Sequence, residues 1–148
     1  MSSLKEQLLE DMKTAMKNKE KFKLSVIRMV RAAIKNVEID KRKDLEDNEV
    51  IEVLAKEVKQ RRDSISEFEK AGKDDTVADL NKEIEILSVY LPEQLDEDEI
   101  EKIVDEVISD VEASSMADMG KVMGSIMPKV KGRADGSVVN TIVRKKLS

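Results

Sequence analysis

The chain has 148 residues, 40% apolar and 40% charged, a formal net charge of −5, and neither cysteine nor histidine. This suits a folded, soluble chain of one domain or two small ones, and it excludes disulfides, thiolate nucleophiles, Cys/His zinc centres and an imidazole base. No run of about 18 apolar residues is present, and the start MSSLKEQLLEDM carries acids where a signal peptide would be apolar, so neither a membrane span nor a leader is expected and the expected address is the cytoplasm.

Five glycines and two prolines among abundant Glu, Lys, Leu, Met and Ala predict an all-α fold of seven helices joined by short turns. Ser3 and Glu6 form an S-x-x-E pattern that opens the first helix, with Leu4, Leu8, Met12 and Met16 on one face. A second helix from Lys21 to about Lys41 carries Leu24, Ile27, Val30, Ile34 and Val37 inward. The KRKDLEDNEV segment breaks the period and offers Asp47 as an N-cap. A long third helix then places Ile51, Leu54, Val58, Ile65 and Phe68 inward and stops at Gly72. Between Val58 and Ile65, where the period asks for an apolar residue, stand Arg61 and Arg62; Glu57, Asp63 and Glu67 are the expected ion-pair partners.

A fourth helix begins near Asp74 or Asp75, uses Val77, Leu80, Ile84 and Leu87, and ends near Tyr90 or Leu91 because Pro92 disfavours helix before it. Helices three and four therefore make a long antiparallel hairpin. The proline-marked turn at Leu91 to Leu95 is the expected domain boundary, giving an N-terminal helical bundle over 1–93 and a small three-helix lobe over 94–148. In that lobe Asp96 and Glu99 start a fifth helix, Ser115 a sixth and Asp135 a seventh, each followed by an apolar stripe.

Charge is unevenly placed. Glu93 to Glu112 carries ten acids and the single base Lys102, whereas Met116 to Lys146 carries seven bases (Lys121, Lys129, Lys131, Arg133, Arg144, Lys145, Lys146) against Asp118 and Asp135. Cations near two helix ends and a glycine turn suit contact with several phosphates. The same residues equally suit helix C-termini, whose dipoles favour positive charge, and both readings stand open. With Tyr90 the only aromatic ring nearby, base stacking is largely out of reach, so any RNA recognition would be of shape and backbone.

Gly120 and Gly124 form a G-x-x-x-G pair on one helix face, for which close packing of a neighbouring helix is the expectation and approach of a ligand the alternative. Arg28, Arg31 and Lys35 also share a face, expected to be solvated, with a second phosphate-contacting surface as the alternative. GKVMGS lacks the order of a phosphate-binding loop, and DEDEIE lacks the glycine of a calcium loop, so no metal or cofactor is expected.

At YLPEQL (Tyr90 to Leu95), DMGKVMGSIMPKVKGRADGSVVNTIV (Asp118 to Val143), KQRRDSISEFEKAG (Lys59 to Gly72) and VIRMVRAAIKN (Val26 to Asn36) the chain resembles the YqeY family. That family is related to the tail domain of the GatB subunit of the glutamine-dependent tRNA amidotransferase. The resemblance covers almost the whole chain. It implies a two-lobed helical protein whose C-terminal lobe is kin to a tRNA-binding piece, without the catalytic domain. Positions matching the motif are Gly120, Lys121, Met123, Pro128, Lys129, Gly132, Arg133, Asp135, Gly136 and Val143. Of these, Lys121, Lys129 and Arg133 are implied phosphate contacts, while the glycines and Pro128 shape the backbone. The implied function is a noncatalytic accessory protein that binds tRNA or another structured RNA. The alternatives are an adaptor for amidotransferase or aminoacyl-tRNA synthetase proteins and, from the family's common label, a carbon–nitrogen ligase with glutamine as amide donor.

Overall fold

The structure, a computed structural model, describes residues 3–148. Among them the regular structure is entirely helical: α1 (Leu4–Lys17), α2 (Lys21–Lys41), α3 (Asp47–Lys70), α4 (Asp74–Ser88), α5 (Glu97–Asp110), α6 (Met119–Val130) and α7 (Gly136–Leu147), with a 3₁₀ turn at Met116–Asp118. The chain divides into two compact units, Met1–Leu91 and Pro92–Ser148.

In the first unit α1 pairs with α2 and α3 with α4, and α2 packs on both members of the second pair. Ser3 starts α1 by accepting the Glu6 N–H at 3.2 Å. The apolar period of α2 puts Val26, Ile27, Val30 and Ile34 into a core shared with Leu8, Leu54, Val58 and Leu87. Gly72 ends the hairpin's first arm with a φ of 71°, a conformation that costs residues bearing a Cβ.

Two local expectations are corrected. Asp47 is the first residue of α3 and Glu46 its N-cap; the Glu46 N–H donates to Glu49 Oε1 at 3.3 Å. Asp47 Oδ1 instead accepts the Leu4 N–H at 3.0 Å, joining the start of α1 to the start of α3. Arg61 is buried, and of its expected partners it pairs with the Glu57 carboxylate at 4.0 Å and donates to the Glu57 carbonyl at 2.9 Å, while its nearer carboxylate is one not expected, Glu83 on α4 at 3.2 Å.

The second unit has its own core, built from Ile100, Val104 and Val107 of α5, Val122, Ile126 and Val130 of α6, and Val139, Val143 and Leu147 of α7. Asp96 and Glu99 form the expected reciprocal cap on α5, with Asp96 Oδ1 accepting the Glu99 N–H at 2.8 Å. Ser115 caps the 3₁₀ turn that leads into α6, and Asp135 caps α7 by accepting the Ser137 N–H at 2.9 Å.

Candidate functional site

In the second unit, two sequence motifs meet. After α6 the chain turns through Gly132 at a φ of 74°, and the segment before α5 is laced to that turn. Gln94 Nε2 donates to the Gly132 carbonyl at 2.7 Å, the Leu95 N–H donates to the Arg133 carbonyl at 2.8 Å, and Arg133 Nε donates to the Glu93 carbonyl at 3.4 Å. Glu93, Gln94 and Leu95 therefore form a clasp on the α6–α7 turn. Arg133, half-buried, is part of that clasp.

The inward stripe of α6 leaves Gly120, Lys121, Gly124, Met127, Pro128 and Lys129 exposed on its other side. A Cβ built on Gly120 or Gly124 would meet nothing within 4 Å. The expected close packing of a neighbouring helix on this pair is corrected: the glycines look out on open space. Each glycine in a helix costs about 0.5–1 kcal/mol relative to alanine, and no contact within the unit accounts for that cost here. Pro128 adds a second feature, because it has no N–H to give the Gly124 carbonyl four residues earlier. The stripe thus offers bare backbone, a carbonyl without its helical donor, and two flanking ammonium groups.

The remaining cations are placed unequally. Lys146 reaches back to α5, pairing with Glu101 at 2.9 Å and Asp105 at 3.3 Å. Glu101 holds its ammonium above the usual lysine range and Asp105 adds to this, while Glu101 is itself held below the usual carboxylate range by Lys146, with Lys145 contributing. Arg144 and Lys145 lie exposed on the last turn of α7, and Lys131 is exposed where α6 ends. At the other end of α6 the Asp118 carboxyl is held low by the N–H groups of Ser114 and Ser115, with Lys121 adding to the effect. Gly136 begins α7, its added Cβ meeting only Met127 Cε at 3.5 Å. Taken whole, Pro92–Ser148 carries twelve acids and eight bases, so any attraction for an anion is local to the α6–α7 face and opposed by α5.

In the first unit Arg28, Arg31 and Lys35 line a cavity of about 490 Å³ together with Lys5, Glu38 and Asp44. Sequence reasoning missed Lys5 and Glu38. The available signal was Glu38 itself, four residues after Ile34 on the buried stripe of α2; it is 9% exposed and takes donors from Lys5 and, at 2.9 Å, from the Leu45 N–H. Among the described residues no group of three or more Asp or Glu side chains is placed to hold a metal ion, and no helix is long and apolar enough to cross a membrane.

A family model described as "Yqey-like protein" matches residues 5–147. Among curated proteins, the chain is similar to "Altered inheritance of mitochondria protein 41, mitochondrial" of Kluyveromyces lactis, 44% identical over 84 residues, which is 56% of this chain and 45% of that protein. The protein of the same name from Eremothecium gossypii is 40% identical over 57% of this chain and 46% of its own length, and that from Clavispora lusitaniae is 41% identical over 70% and 59%. The chain thus spans about half the length of the first of these relatives. Their names overturn the expectation of a cytoplasmic address. That expectation rested on seeing neither an apolar run nor an apolar leader, whereas organelle-targeting segments are amphipathic and basic and need neither.

Proposed function

The chain belongs to the YqeY-like family, and on that premise we propose that it is a noncatalytic accessory protein that holds the backbone of a structured RNA, tRNA foremost, on the α6–α7 face of its second unit. The observation that carries this reading is the open glycine stripe. Gly120 and Gly124 let a ligand come within van der Waals distance of helix backbone, with Lys121 and Lys129 beside it for phosphate. The Gly124 carbonyl, deprived of a donor by Pro128, suits a 2′-hydroxyl, the group that distinguishes RNA from DNA. Arg133 serves by fixing the turn, and Lys146 by tying α7 to α5; neither is a leading phosphate contact.

The test is fluorescence anisotropy of labelled tRNA with the whole chain, titrated against salt, with a DNA duplex of equal charge as control. Preference for tRNA and a log–log salt slope equivalent to roughly three to six phosphate contacts support the reading. Lys121→Glu with Lys129→Glu should abolish the preference, while Lys146→Ala should leave it nearly intact. Absence of binding at about 50 mM salt, where the electrostatic contribution is strong, would sink it. It would also favour an adaptor whose acidic α5, exposing Glu97, Asp98, Glu99 and Glu106, docks a basic protein.

A further inference from the structure

The cavity between α1 and α2 is richer in positive charge than its carboxylates neutralise. Lys5 is bonded to Glu38, so that pair is closed. Arg28 and Arg31 are held differently. Arg28 Nη2 lies 3.5 Å from the Met16 sulfur and Arg31 Nη1 3.1 Å from the Met12 sulfur, and among the described residues no carboxylate pairs with either. A thioether is a weak acceptor. It positions a guanidinium without cancelling its charge, and it leaves most of the five donors of each fork unspent.

Arg28 and Arg31 are three residues apart on α2 and so lie side by side, with Lys35 one turn further along the same wall. A second concavity of about 350 Å³ shares Lys35, Glu38 and Asp44 and adds Arg42 and Lys43. Lys43 is compensated by Glu49 at 2.8 Å. The first cavity's volume lies within the range of about 300–1,000 Å³ typical of small-molecule sites, and Ala32 and Ile34 give it an apolar wall.

We infer that this cleft binds a small phosphorylated molecule, its phosphate held by the forks of Arg28 and Arg31 with Lys35 beside them and its less polar part against Ala32 and Ile34. Two adjacent guanidiniums and an ammonium suit a multiply charged phosphate better than a single carboxylate. The carboxylates of Glu38 and Asp44 are part of the cavity's lining, which suits a short ligand better than a phosphodiester chain that would have to pass them. This site shares no residue with the α6–α7 face and does not depend on the RNA reading.

The experiment is isothermal titration of the whole chain at low salt with inorganic pyrophosphate and, separately, with adenosine monophosphate. Saturable binding of either is expected, weakened about tenfold by Arg31→Gln and further by Arg28→Gln together with Arg31→Gln. Lys121→Glu with Lys129→Glu, in the other unit, should leave it unchanged. Arg31→Lys, which keeps the charge and loses the fork, should bind between wild type and Arg31→Gln, and thermal melts confirm that each variant is folded. No heat with either probe up to about 1 mM would overturn the inference, as would equal affinity in wild type and the double Gln variant. Displacement of pyrophosphate from the wild-type chain by tRNA, together with weaker direct binding of tRNA to the double Gln variant, would also overturn it, because the cleft would then take nucleic-acid backbone.

Discussion

Arg61 of α3 donates through Nε to the Glu83 carboxylate of α4 at 3.2 Å, and the same guanidinium reaches the Glu57 carbonyl at 2.9 Å and the Met29 sulfur of α2 at 3.0 Å. One buried side chain therefore joins three helices. Its removal leaves Glu57 and Glu83 close together without their cation, which is the costly way to break a buried pair. Arg61→Met should lose about 3 kcal/mol of stability, and Arg61→Met combined with Glu83→Leu should recover part of it. Denaturant unfolding followed by Tyr90 fluorescence reports this unit alone, since Tyr90 is the only tyrosine and there is no tryptophan. A loss under about 0.5 kcal/mol, the ordinary range for a surface change, would show that the pair is incidental.

Periodicity made Arg61 visible as an anomaly and local spacing supplied the more distant of its two carboxylates, Glu57, but not the nearer one. The third helix's apolar period asks for a core residue at that place, so an arginine there signals burial with compensation. The nearest acids in sequence were Glu57, Asp63 and Glu67, and a local rule finds only those. Glu83 comes from the antiparallel arm, twenty-two positions later, where register and not spacing decides who meets whom. The helices themselves were legible because stripes such as Val122, Ile126 and Val130 recur every four residues, close to the helical period, with Asp96, Ser115 and Asp135 as start signals. The glycine pair failed in the opposite direction. A G-x-x-x-G pattern states that two helical positions lack side chains and says nothing of which face they occupy; that depends on Val122 and Ile126 turning the other side inward.

Acid should weaken the first unit through Glu38. Its carboxyl is held below the usual glutamate range by the Lys5 ammonium first and the Leu45 N–H second, with Lys35 contributing, against an opposing effect of desolvation. A carboxylate with a depressed folded value contributes stability that is fully present above its unfolded value of about 4.3 and is lost as pH falls through the depressed value. Urea unfolding between about pH 3 and pH 7 should therefore show stability declining below about pH 4.5. Glu38→Gln should cost about 1–2 kcal/mol at neutral pH and flatten the acid limb. An acid limb identical in the variant would place the titration elsewhere.

Alkali should act through Tyr90. Its side chain is buried, its hydroxyl donates to Asp11, and burial first and the Asp11 carboxylate second push its ionisation well above the ordinary phenol range. A group whose folded value is raised contributes stability below its unfolded value of about 10 and loses it as pH rises beyond. As the sole tyrosine, Tyr90 gives an unmixed phenolate absorbance. That absorbance should rise only with unfolding, while urea-unfolded protein titrates near about 10. Tyr90→Phe should lose about 1 kcal/mol with its packing retained. A phenolate midpoint near 10 in folded protein would show that Tyr90 is neither buried nor bonded to Asp11 in solution.

Within one motif, the same substitution should have opposite effects. Gly132 holds a φ of 74° and its carbonyl takes Gln94, so Gly132→Ala is strained and should destabilise the second unit by more than about 1 kcal/mol. Gly120 and Gly124 sit in ordinary helix with nothing within 4 Å of an added Cβ, so Gly120→Ala and Gly124→Ala should each stabilise by about 0.5–1 kcal/mol. Thermal melts of the three variants test the signs directly. If the open stripe is where RNA lies, the two stabilised variants should also bind tRNA more weakly, and Gly124→Leu more weakly still, although every cation is retained. Higher stability with undiminished tRNA affinity would mean that the stripe is not a contact surface, and would leave charge alone to account for any binding.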